Sequence, residues 1–114
     1  MHLKNFSLIE NPENLNEYSL SAAYDMLSTN IIIPTDREQL ALTLNGKKQN
    51  IRKKDFIIFS KTIGIPEKSA QKMIEKITKL KGKYVEMCVS SYLPDDMKEE
   101  LTKLIIQRIG VLEE

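Results

Sequence analysis

Hydrophobic and polar positions alternate near the start of the chain. Phe6 and Leu8 share one face of an extended segment, Tyr18, Leu20, Ala22 and Tyr24 share one face of a second, and Asn11-Pro12-Glu13-Asn14 lies between them. A period of two interrupted by a Pro/Asn cluster predicts two strands joined by a loop. A further extended piece, Leu40 to Leu44, runs into Asn45-Gly46, a dipeptide that accepts positive φ and marks a tight turn, so a short hairpin is expected there.

Past Ile51 the period becomes helical. Phe56, Phe59 and Ile63 form one stripe, and Gly64 is expected to stop that helix as a left-handed cap. Pro66 suits the first turn of the next helix, whose apolar stripe of Ala70, Met73, Ile74, Ile77, Leu80, Tyr84, Met87 and Cys88 extends to about Tyr92. Gly82 is expected to weaken this helix without breaking it. Pro94 starts a final helix, with Asp95 and Asp96 where carboxylates complement the amino-end dipole and with Met97, Leu101, Leu104, Ile105 and Leu112 inward. The sum is an α+β fold, a short N-terminal hairpin followed by a three-helix bundle. Residues 1–114 are expected to form one domain, strand-rich over 1–50 and helical over 51–114.

Composition narrows the function classes. The longest apolar run, Phe56-Ile57-Ile58-Phe59, is far shorter than the roughly 18 residues of a bilayer span, and no secretory pattern opens the chain, so a cytoplasmic protein with no membrane partner is expected. Cys88 is the only cysteine and His2 the only histidine, which leaves neither an intrachain disulfide nor a zinc cluster. On its apolar stripe Cys88 reads as a small packing residue rather than a nucleophile.

The net charge of +1 conceals an asymmetry. Between Lys47 and Lys83 there are 12 Lys/Arg against Asp55, Glu67 and Glu75, a sum of +9, and the rest of the chain sums to −8. Lys68, Lys72, Lys76, Lys79, Lys81 and Lys83 fall mostly opposite the apolar stripe, which fits a solvated helix face or a surface for nucleic acid or an acidic partner. Asp55 to Ile77, two helical stretches broken at Gly64, also resembles a helix-turn-helix, so DNA is an alternative partner.

Two stretches carry a more specific signal: His2-Leu3-Lys4-Asn5-Phe6-Ser7, and Leu20-Ser21-Ala22-Ala23-Tyr24-Asp25-Met26-Leu27-Ser28-Thr29. They resemble the H-x-K-N-F-S and L-S-P-A-Y-D-L-L-S-T segments of HipA-like serine/threonine kinases of bacterial toxin-antitoxin systems. Leu42, Leu44-Asn45-Gly46-Lys47 and Asp55-Phe56 resemble the segment that follows. Ala22 stands where that family usually has proline, which leaves the turn less rigid.

The resemblance implies part of a kinase-like C-terminal lobe. Asn5 would take the place of the catalytic-loop asparagine and Asp25 that of the metal-binding aspartate, with His2 and Lys4 as candidates to support the loop or approach phosphate. A carboxamide oxygen and a carboxylate suit magnesium, which prefers oxygen ligands and neutralises phosphate charge in phosphoryl transfer. Taken without their surroundings, the same two residues fit turn or cap roles. If the strands pair about a loop centred near residue 15, Asn5 and Asp25 face each other at the hairpin's open end.

The kinase base aspartate precedes the asparagine by five residues, which here falls before Met1, and no Gly-rich phosphate loop occurs in the sequence. No catalytic base is therefore assigned. Magnesium and ATP are implied for the complete family member, with none bound tightly by this chain. The implied partners are the rest of a HipA-like kinase or a small helix-turn-helix antitoxin, with self-association as a further expectation.

Overall fold

The computed structural model describes residues 3–24, 26 and 28–114. After a 3-10 turn at Leu3–Asn5, two antiparallel strands form a hairpin: β1, Leu8–Asn11, and β2, Asn14–Leu20. Asn11 closes the turn locally, its side-chain oxygen accepting the Glu13 backbone N–H at 3.0 Å beside the fixed φ of Pro12.

That tight turn changes the expected register. Leu8 pairs with Leu20, Ile9 with Ser19 and Glu10 with Tyr18, so each of these three meets a partner two positions earlier than a loop centred near residue 15 would give. Asn11 pairs with Asn14, and the irregularity beside Glu10 leaves Leu15, Asn16 and Glu17 in a bulge.

Leu40 to Leu44 forms no strand. The Asn45-Gly46 turn is present, with φ of 51° and 72°, and Leu44 and Lys47 exchange backbone bonds of 2.8 and 3.0 Å across it. Outside that bridge Gln39 makes the remaining links: its N–H donates to Lys48 O at 2.8 Å, and its side-chain oxygen accepts the Ile51 N–H at 2.9 Å, where a strand ladder would have used a backbone carbonyl. A one-turn helix, α1 at Thr29–Ile32, precedes this segment and was not anticipated by periodicity.

Four longer helices follow: α2, Lys53–Thr62; α3, Glu67–Thr78; α4, Lys81–Val89; and α5, Asp95–Glu113. Gly64 caps α2 as expected, at φ 80°, with the Gly64 N–H bonded to Lys61 O and the Ile65 N–H to Ser60 O. These two bonds are the Schellman pair that satisfies the final carbonyls of a helix. Pro66 and Pro94 stand immediately before α3 and α5, and their carbonyls accept the first helical bonds, from Ala70 and Lys98.

The single helix expected from Pro66 to about Tyr92 is two, parted at Lys79 and Leu80 rather than at Gly82. The Thr78 hydroxyl bonds to Glu75 O at 3.1 Å, and the Leu80 N–H reaches back only to Ile77 O, a shortened turn that redirects the chain. The break lets α4 pack along α5 while α3 contacts both α2 and α5.

The core is small: Leu44, Ile51, Ala70, Ile74, Cys88 and Ile109 are its buried apolar residues. Phe59 and Ile63, expected to face inward from α2, are exposed, and the buried positions of that helix are Asp55 and Ser60. The α+β class with a hairpin leading into helices is as read from the sequence. No helix among the described residues is long and apolar enough to cross a membrane.

Candidate functional site

The two motifs singled out in the sequence meet at the open end of the hairpin. Past Leu8 and Leu20, the Ser21 N–H donates to Ser7 O at 2.8 Å, and the Ser7 N–H donates to the Ser21 hydroxyl at 3.0 Å. Ser7 Oγ and the Tyr24 hydroxyl lie 2.7 Å apart in a further hydrogen bond. The chains remain together up to Asn5, whose carbonyl accepts the Tyr24 N–H at 3.1 Å and whose Nδ2 donates to Tyr24 O at 2.8 Å.

Asn5 is buried there. The residue bonded to it is Tyr24, the chain neighbour of Asp25, while Asp25 and His2 lie outside the described residues. Lys4 is exposed in the 3-10 turn. Of the two bonds to Tyr24, one engages the nitrogen of the Asn5 carboxamide and the other the Asn5 backbone carbonyl; a carboxamide oxygen is an atom of the type that magnesium takes. Among the described residues no group of three or more His, Cys, Asp or Glu side chains could hold a metal.

A second polar centre gives a role to residues that carried only a resemblance. Asp55 is wholly buried at the third position of α2. Its Oδ2 accepts the Arg52 backbone N–H at 2.9 Å, its Oδ1 accepts Asn45 Nδ2 at 2.8 Å, and Lys47 Nζ reaches the two oxygens at 2.9 and 3.1 Å. The Arg52 N–H, the Asn45 amide and the Lys47 ammonium, in that order, hold the Asp55 carboxyl well below the usual carboxylate range, although burial pushes the other way. Leu44-Asn45-Gly46-Lys47 and Asp55-Phe56 are therefore one clamp that fixes the tight turn to the start of α2. The sequence signal for it is a carboxylate at the third helical position, where it can reach back to an unpaired N–H.

The basic segment is partly neutralised from outside itself. Lys48, Arg52 and Lys81 pair with Glu38, Glu114 and Glu113, which lie outside it, while Lys61 pairs with Glu67 within it. Lys68, Lys72, Lys76 and Lys79 are exposed and make no ion pair among the described residues. Cys88 is buried, as its place on the apolar stripe suggested, with the Thr102 hydroxyl 3.5 Å from its sulfur.

Comparison with known families matches residues 1–83 to the family described as the HipA-like C-terminal domain. The matched span takes in the Asn5–Tyr24 junction, the Asp55 clamp, α2, α3 and the first residues of α4. No curated protein matches the chain.

Proposed function

Because the chain belongs to the HipA-like C-terminal domain family, we propose that it is the C-terminal part of a HipA-like serine/threonine protein kinase. The complete protein would transfer phosphate from ATP to a protein hydroxyl. The observation that carries this reading is the pair of hydrogen bonds between Asn5 and Tyr24, which supports a pairing of the catalytic-loop-like asparagine with the chain neighbour of Asp25. Asn5 and Asp25 are the residues that would hold magnesium, and the ion would supply neutralisation of phosphate charge. Asn5 and Tyr24 would set the spacing of the two oxygen donors, and Lys4, exposed at the edge of the turn, would approach phosphate.

No base aspartate, phosphate-covering loop or strand lysine can be assigned within these 114 residues, so on this reading they do not transfer phosphate by themselves. The partners proposed are the remainder of such a kinase and a helix-turn-helix antitoxin, in the cytoplasm. Manganese, a paramagnetic stand-in for magnesium, tests the site. It is expected to broaden the amide resonances of Asn5 and Tyr24 in the unmodified chain and to leave those of the Asp25→Asn variant sharp. Equal broadening in both would remove the metal role.

A second reading is favoured by the α2–Gly64–α3 arrangement, in which a short turn joins two helices and the second exposes Lys68, Lys72 and Lys76. On it, α3 contacts duplex DNA. Binding should then weaken steeply with salt, as counterions compete for phosphate contacts. A chain that binds no duplex at low ionic strength does not use α3 in this way.

A further inference from the structure

The segment between α1 and α2 folds back toward α5 and lines a polar cavity of about 370 Å³. Its walls include Arg37 and Gln39 from that segment, Gln49 and Asn50 just before α2, and Arg108 from α5. The cavity is within the range that accommodates small molecules.

Its charges are unbalanced. Arg108 is half-buried and Arg37 exposed, and neither makes a salt bridge or side-chain hydrogen bond among the described residues. Asp36 is the one acid in the lining, and its Oδ1 already accepts the Glu38 N–H at 2.9 Å. Glu38, the next acid along the chain, is committed to Lys48 at 3.1 Å. Burial lowers the Arg108 guanidinium from its ordinary value, the mark of a cation that has lost water without gaining a counter-charge. An uncompensated charge of this kind is costly to keep, which makes an arriving anion favourable.

The donors also suit one class of anion. The guanidinium presents a planar fork that matches phosphate oxygens in pairs and gives up water more readily than an ammonium. Gln39 uses its oxygen to accept the Ile51 N–H, so its amide nitrogen remains as a further donor. We propose that this cavity binds a phosphate group, free or carried as a monoester on a larger molecule, between Arg37 and Arg108. None of these residues belongs to the Asn5–Tyr24 junction, so the proposal does not rest on the phosphoryl-transfer reading.

The test is titration of the whole 114-residue chain with inorganic phosphate in low-salt chloride buffer, followed by amide shifts at residues 36–39, 49–51 and 108. Saturable shifts are expected. Arg37→Met and Arg108→Met should each weaken binding roughly tenfold or more, the loss typical of a charge-assisted hydrogen bond. Asp36→Asn keeps the oxygen that accepts the Glu38 N–H but removes the competing charge, so it should tighten binding. If circular dichroism shows that Arg108→Met does not fold, the exposed Arg37 decides the matter. A phosphoserine peptide that binds more tightly than inorganic phosphate, while its unphosphorylated counterpart does not bind, would identify a phosphorylated protein segment as the source. Equal affinity for the two phosphates would indicate free phosphate. Absence of saturable shifts, or affinity unchanged in Arg37→Met, overturns the proposal.

Discussion

Asp55 keeps its charge where water does not reach because three donors replace the water. Its low folded-state pKa makes it a source of acid sensitivity. A carboxylate whose pKa is depressed by folding contributes stability that is complete above its ordinary value, near 3.8, and is lost as pH falls toward the folded value. Urea unfolding of the unmodified chain should therefore show a midpoint that drops below about pH 4. In Asp55→Asn the midpoint should be lower at neutral pH and the gap to the unmodified chain should narrow in acid. Asp55→Ala, which strands the Asn45 amide, the Lys47 ammonium and the Arg52 N–H together, should lower Tm by about 5 °C or more. At this scale the sequence was only half legible. The letters of the clamp carry a resemblance, but the hydrophobic stripe on α2 marks Phe59 as the inward residue. Periodicity ranks positions by apolarity, and it cannot register that a carboxylate with enough donors occupies the interior while an aromatic ring faces out.

Helix ends that glycine or proline marks are legible in the sequence, and an end without such a residue is not. Gly64 has a backbone requirement written in its identity: at φ 80° a side chain is strained even though an added Cβ would meet nothing within 4 Å. Gly64→Ala should cost about 1 kcal/mol, all of it conformational. Gly110 is the control, since it lies inside α5, has no positive φ and also faces open space. Gly110→Ala should stabilise by roughly 0.5–1 kcal/mol through helix propensity. Thermal unfolding of the two variants reads both signs. The sequence does not mark the break between α3 and α4, because Ile77, Leu80 and Tyr84 continue the apolar spacing across it. Nor does it mark the hairpin register, because a bulge shifts pairing without altering the alternation of residue types.

Across the whole molecule the radius of gyration is 16.4 Å, against about 13 Å for a compact chain of this length. The hairpin leaves much of its own apolar surface uncovered. Its main contacts are between its own strands, and Leu8, Leu15, Tyr18 and Leu20 are each more than half exposed. Apolar surface gathered on one element favours a covering partner. Light scattering at high protein concentration should show a mass above 13.1 kDa, and Leu8→Glu combined with Leu20→Glu should return it to that value. A clean monomer in the unmodified chain would mean that the hairpin does not self-associate. The helical half is tied together differently. One carboxylate fastens the Asn45-Gly46-Lys47 bend to the leading edge of α2, so bend and helix swing as a single lever arm. Whatever rotates α2 relocates that bend with it, and unwinding the first few residues of the helix unhooks the bend at once.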